Sequence, residues 1–280
     1  MKLAFSTNAF TRYSLEEALR AIQSSGFTAA EILADVPHAY PDTLDDTAIN
    51  AIRKTLYDTR LAVSNINCNC SFGYWRHAPP EPYFEPSLIS PNPQHRADRT
   101  RMILKTLDFA KAIDAPNISI TSGRCLGSMN PTLAAAQFRE SMKPVLDRAE
   151  HLGVGVGIEL EPGLFLEWAT ELKYWIEELK SPLFGANLDI GHSVVIGESV
   201  DHAIGTLRGR IWNMHVEDLP GRKHYHTIPG EGDFPWQELK RTLEDIEYNR
   251  YLTVELYTMT EDPHAAARKS YDFLTKVFLQ

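Results

Sequence analysis

Residues 154–163 read VGVGIELEPG, and residues 185–193 read GANLDIGHS. Each is a short apolar run that turns acidic at its end. Runs this brief, bounded by Gly and Pro, read as buried strands with polar tips. The stretches RIWNMHVED (210–218) and YLTVELY (251–257) follow the same plan. Between them, 169–178, 199–207 and 236–246 carry apolar residues at helical spacing. Strand and helix in strict alternation point to a parallel sheet with helical crossovers.

The alternation continues toward the N-terminus. Strands fit 2–6, 29–33, 61–66 and 117–121, followed by 154–161, 185–190, 210–216 and 251–256. Ser14 caps a helix bearing Leu15, Ala18, Leu19 and Ile22, and Gly26 ends it. Further helices fit 47–59, a long segment ending near Ile113, 132–152 with Pro144 as a kink site, and 263–278. Eight such units in 280 residues match the ~250 residues typical of a (β/α)8 TIM barrel. No GxGxxG follows the first strand, which argues against an open dinucleotide-binding sheet. The expectation is an α/β chain forming a single TIM-barrel domain over 1–280. The segment 67–92, which contains Tyr74, Trp75, Tyr83 and Phe84, is too long for a plain connection and reads as a lid or an interface.

A net charge of −9 argues against nucleic-acid or anionic-membrane partners, which call for an excess of Lys and Arg. The cysteines Cys68, Cys70 and Cys125 form no disulfide or zinc framework, so they read as packed thiols in a reducing compartment. The opening MKLAFSTNAFTR lacks the apolar core of a signal peptide. No run approaches the ~20 apolar residues of a membrane span. A cytoplasmic location is the expectation.

A TIM barrel carries its chemistry at the C-terminal ends of its strands. There the fifth to eighth strands offer Glu161, Asp189, His215 and Glu255. Three converging carboxylates repel unless they take up protons or share a cation. One imidazole with three carboxylates suits a single divalent metal ion: Mn, Mg, Co, Zn or Fe. The competing reading gives each acid its own Arg or Lys at the rim. Period-two alternation sets Glu159, Asn187, Asn213 and Thr253 one step deeper on the same faces, where they could orient the ligands. For Glu159 the alternative is a helix-facing position beside a lysine.

Together IELEPG (158–163), NLDIGHS (187–193), NMHVED (213–218), IPGEGDFPW (228–236) and TVELY (253–257) resemble the xylose-isomerase-like TIM barrel family. That family includes sugar phosphate isomerases and epimerases, among them ketose 3-epimerases and hydroxypyruvate isomerases. The resemblance implies that Glu161 of the Glu-Pro pair, Asp189, His215 and Glu255 hold one divalent metal ion. It also implies that His192, from the DxxH unit, contacts substrate. By the same resemblance Glu161 and Glu255 are the catalytic acid/base pair on opposite faces of a small sugar or sugar phosphate. They act through an enediolate that the ion stabilises. Returning the proton to the neighbouring carbon gives aldose–ketose isomerisation instead.

Other residues stay ambiguous from sequence. Arg222 and Lys223 could grip a phosphate or carboxylate, and His226 precedes the IPGEG turn, where the resemblance implies a substrate or metal contact; the alternative is a solvated basic turn. His192 could instead pack in the barrel wall. Gly230 and Gly232 read as turn-shaping residues. Asn8, Asn67 and Arg124 are weaker candidates near other strand ends. Trp75, Tyr83 and Phe84 fit a sugar cover or a homodimer contact equally well. The same scaffold also admits a lyase of the keto-inositol or dehydroshikimate dehydratase type, or a non-catalytic accessory barrel. An apurinic endonuclease is disfavoured, because NINC (65–68) and SITS (119–122) supply no histidine.

Overall fold

The computed structural model describes residues 1–279 except 70, 76, 78–83 and 128. Strands β1 (Lys2–Ser6), β2 (Ala29–Leu33), β3 (Ala62–Asn67), β4 (Asn117–Thr121), β5 (Gly155–Glu159), β6 (Phe184–Asp189), β7 (Ile211–Val216) and β8 (Tyr251–Val254) pair in parallel, in sequence order. β8 pairs with β1, so the barrel closes. Around it run α1 (Leu15–Ser24), α2 (Asp46–Thr59), α3 (Pro93–Ala112), α4 (Pro131–Leu152), α5 (Ala169–Leu179), α6 (Ile190–Ile196), α7 (Val200–Thr206), α8 (Trp236–Asp245) and α9 (Pro263–Phe278).

Local chemistry accounts for these boundaries. Ser14 and Glu17 form a reciprocal capping box, and the α1 residues at helical spacing, Leu15, Ala18, Leu19 and Ile22, are buried. Pro144 sits inside α4, which continues across it from Pro131 to Leu152. The short α6 was not apparent from periodicity. It starts straight from β6 because Asp189 Oδ1 accepts from the His192 N–H at 3.0 Å, and Gly197 ends it at φ 94°.

Two strands stop earlier than the alternation suggested. β5 ends at Glu159 rather than 161, because the chain turns there. The Leu160 carbonyl lies 2.8 Å from the His192 ring, and the Glu161 N–H donates to Leu166 O at 3.4 Å. β8 ends at Val254.

The barrel interior holds a buried amide and hydroxyl ladder. Asn117 donates to Asn65 at 2.6 Å, Asn213 to Asn187 at 2.8 Å, and Thr253 to Asn213 at 2.8 Å. Each of these donors is thereby matched by an acceptor of fixed direction.

In the long segment after β3, Asp35 accepts from the backbone N–H groups of Ser71, Phe72 and Gly73, anchoring the loop to the end of β2. The Trp75 indole donates to Glu85 O at 2.9 Å, and its ring packs on Tyr74 and His95. Tyr83 and Cys70 lie outside the described residues. Cys68 is a buried thiol donating to Thr106. Among the described residues no helix is long and apolar enough to cross a membrane.

Candidate metal centre

The site begins with strand tilt. Across the β5–β6 ladder Glu159 pairs with Asn187, across β6–β7 Asp189 pairs with His215, and across β7–β8 His215 pairs with Thr253. Barrel strands tilt against the axis, so equal height falls at later ladder positions from β5 to β8. Glu159, Asp189, His215 and Glu255 therefore meet at one level. One donor atom from each lies within 4.8 Å of the others, and all four residues are buried.

On β5 the structure gathers a different carboxylate from the one expected. Glu159, expected one layer deeper, is in the cluster. Glu161, expected as a ligand, stands on the rim, with its Oε2 3.6 Å from His192 Nδ1 and its Oε1 3.9 Å from His224 Nδ1. The lysine suggested for Glu159 is not what it meets. The structure gathers Asp189, His215 and Glu255 at the mouth as expected. Asn187 and Asn213 lie beneath them.

His215 organises the cluster. Its Nε2 donates to Glu31 Oε2 at 2.7 Å, and its Nδ1 faces Glu159 Oε1 at 2.8 Å, Glu255 Oε2 at 3.6 Å and Asp189 Oδ2 at 4.0 Å. Ionised Glu31 can only accept, so Nε2 carries a hydrogen and Nδ1 is the nitrogen left for a ligand. Without a cation, Nδ1 must also be protonated to meet Glu159. Burial disfavours that charge, yet Glu31, Glu255 and Glu159 outweigh it and raise the imidazole well above its ordinary range.

The carboxylates are aimed by amides. Glu255 Oε1 accepts from Asn8 at 2.9 Å and Asn67 at 3.1 Å, which leaves Oε2 for the cluster. Asn69 holds Glu159 Oε2 at 2.9 Å and leaves Oε1 facing His215. Asn65 holds Glu31 at 2.7 Å. Asn8 and Asn67 thus act on the site, whereas Arg124 is exposed.

The cluster could hold a cation. Asp189 Oδ2 and both Glu217 oxygens are buried, and the two carboxyls face each other, so either one holds a proton or a cation stands between them. Burial, then the charge of Asp189, pushes the Glu217 carboxyl well above its ordinary range. Burial pushes Glu255 up strongly, and on the rim it raises Glu161 to about 7. Burial opposes ionisation of Asp189 too, but His192, His226 and His215 hold it below the usual carboxylate range. Aimed oxygens, an imidazole of fixed tautomer and facing buried carboxyls fit a hard or borderline divalent ion.

Sequence reasoning missed Glu31, Asn69 and Glu217. Glu217 shares the inward face of β7 with Asn213 and His215, a signal available from alternation. Glu31 on β2 could have been found the same way. Asn69 lies beyond β3 and carried no periodic signal.

His192 and His226 are buried at the mouth, and half-buried His224 joins them. Asp218 fixes the loop that carries the latter two, accepting from Gly230 N, Phe234 N, Leu219 N and the Trp236 indole. Gly232 lies so close to Asp218 Oδ1 that a Cβ there would stand 2.5 Å away, which explains one glycine of the GEGDF turn. Arg222 is not drawn into the cluster. It is exposed, and its guanidinium donates to Val194 O at 2.8 Å.

A sequence profile of the xylose isomerase-like TIM barrel family matches residues 19–277. The chain belongs to this family. Within the family it is 25% identical, over 277 residues, to a fructoselysine 3-epimerase of Escherichia coli O157:H7, covering 97% of this chain and 96% of that protein. A D-tagatose 3-epimerase-like protein superposes with a TM-score of 0.81 at 18% identity, covering 99% of this chain and 97% of that one. An IolI protein solved with a bound zinc atom superposes at 0.79 and 14% identity, covering 99% and 98%. The relatives named as enzymes are sugar epimerases, and the superpositions share the barrel.

Proposed function

We propose that the chain is a divalent-metal-dependent epimerase of a ketose or ketose conjugate, with Glu159, Asp189, His215 and Glu255 as the metal ligands. The observation that carries this reading is the buried pair Glu159 and Glu255. Both are directed by amides onto one centre at the barrel mouth. The fructoselysine 3-epimerase relative supports an epimerisation, and the zinc atom of the IolI structure supports a metal.

A divalent ion held there supplies the positive charge that makes the C–H beside a sugar carbonyl acidic. One of the two glutamates removes that proton, and the other returns one from the opposite face. Asn8 and Asn67 fix the orientation of the Glu255 carboxylate through Oε1. Glu161 and His192 line the rim, where they are placed to bind substrate hydroxyls. The family resemblance assigned the acid role on β5 to Glu161, and the geometry favours Glu159.

The test is to incubate metal-loaded enzyme in D2O with ketoses, ketose phosphates and fructoselysine-type conjugates. Exchange at one C–H, with appearance of the epimer, is the expected result. Loss of water to a conjugated carbonyl would reassign the chain to the lyases. No exchange with any of these compounds would overturn the reading.

A further inference from the structure

The end of the barrel opposite the candidate metal centre carries the opposite charge to the chain as a whole. Strands β6, β7, β8 and β1 are consecutive in the closed sheet, so the segments that enter them lie side by side. Those segments bring Lys180, Arg208, Arg210, Arg250 and Lys2 to one arc of the rim. Four of these residues are exposed, and Arg210 is half-buried. Among the described residues no carboxylate forms an ion pair with any of them. The acids that close α8, Glu244, Asp245 and Glu247, pair with none of the five, and Glu178 at the end of α5 is taken by Arg139 on α4. In a chain of net charge −9, nearby carboxylates could have neutralised this arc, and they do not.

Three of the five cations are held in place. The Arg250 guanidinium lies 4.6 Å from the centroid of the Trp212 ring, and the Lys2 ammonium lies 5.3 Å from that of Tyr251. Trp212 is itself fixed, because its indole donates to Leu183 O at 3.0 Å. Gly185 leaves room for the ring, since a Cβ there would stand 2.8 Å from it. Arg210 donates to Ser181 O at 3.1 Å and Pro182 O at 3.0 Å. Side chains shelved on rings and carbonyls lose little freedom when a partner arrives.

The spacing of the arc suits an extended chain. Neighbouring strands lie ~4.8 Å apart, and a barrel tilt of ~36° opens this to about 6 Å along the rim. An extended peptide shows every second side chain on one side, about 6.6 Å apart.

We propose that this arc docks an acidic protein segment, an extended run of Asp and Glu, at the end of the barrel away from the chemistry. A two-fold dimer centred here would set the same cations against each other, so a second copy does not fit. Nucleic acid fits less well than a peptide. Its charge lies one per ~1.7 Å of duplex, and the acidic remainder of the chain repels so dense a polyanion.

The experiment is fluorescence polarisation of a fluorescein-labelled poly-glutamate peptide with the full-length protein, at low and at high salt. Saturable binding at low salt that fades at high salt is expected, because the contacts are exposed. Arg208→Glu with Arg250→Glu turns two attractions into repulsions and should weaken binding at least about 10-fold. Arg208→Glu alone should give part of that loss, and its side chain makes no hydrogen bond or ion pair among the described residues, so a packing defect is not the cause. Lys143→Glu, an exposed position on α4 outside the arc, changes the net charge equally and should bind as wild type does. No binding at low salt would overturn the proposal, as would an equal loss in Lys143→Glu. A single-stranded oligonucleotide of equal charge that competes as well as the peptide would also overturn it and reassign the arc to nucleic acid.

Discussion

Glu31 on β2 accepts from His215 Nε2 on β7 at 2.7 Å, reaching across the barrel interior. This bond turns Nδ1 of the same ring toward Glu159, Asp189 and Glu255. Burial works against a charged Glu31, but His215 outweighs it, with help from Asn65 and Ser6, and the carboxyl stays below its ordinary range. Removing Glu31 frees the ring to rotate and to change tautomer. Glu31→Ala should weaken Mn2+ binding by about 10–100-fold, the usual effect of losing a residue that orients a ligand. Glu31→Gln keeps an acceptor and should lose less. Calorimetric titration measures both. Equal affinity in the wild type and Glu31→Ala would detach Glu31 from the centre.

Glu255→Gln keeps the size and one oxygen while removing the proton carrier. Ion binding should fall in part. Epimerisation of an accepted substrate should fall about 10²–10⁴-fold from lost acid–base catalysis. The split is informative in D2O. If Glu255 delivers the proton for a given epimer, the variant still exchanges the substrate C–H but forms little product. Turnover equal to wild type would remove Glu255 from proton transfer.

Much of this was legible in the sequence. Eight short apolar runs separated by helical spacings gave the barrel, because both periodicities are local properties. The strand tips gave Asp189, His215 and Glu255, because barrel chemistry lies at those ends. The β5 ligand was not legible. Glu159 and Glu161 share a parity, and only strand tilt, a property of the closed sheet, selects between them. The Glu-Pro resemblance points to Glu161, and the cluster in the structure contains Glu159. Asn69 reaches the centre from beyond β3, where no periodicity marks it, whereas Glu31 sits on the inward face of β2 and alternation alone could have flagged it. The histidine cluster depends on how Asp218 folds its loop, which the basic look of 221–226 concealed.

Glu161 gives a pH signature in the metal-free protein. Its ordinary value is 4.5, and burial, which dominates, raises it to about 7. The folded state therefore favours the protonated form. The stability this contributes is complete below about pH 4.5 and is lost as pH rises through 7, by on the order of 3 kcal/mol. Glu161→Gln cannot ionise. Urea melts should show the variant gaining on wild type between pH 4.5 and pH 8. A stability difference independent of pH across that window would contradict the placement of Glu161 in a buried, carboxylate-rich rim.

Arg222 was a candidate for an anionic substrate group, but it is exposed and bonded to Val194 O. Arg222→Ala should change stability by no more than about 0.5 kcal/mol, as for an ordinary surface position. It should shift KM equally for a ketose and its phosphate. A selective rise in KM for the phosphate would bring Arg222 back to substrate binding.

The central claim is that β5 contributes its ligand through Glu159. Divalent-ion affinity of Glu159→Gln and Glu161→Gln, measured side by side by Mn2+ titration of the stripped protein, tests it most directly. A charge-assisted contact is worth roughly 1.5–3 kcal/mol, so Glu159→Gln should bind about 10–100-fold more weakly while Glu161→Gln stays close to wild type. A loss in Glu161→Gln with Glu159→Gln unaffected would contradict the account.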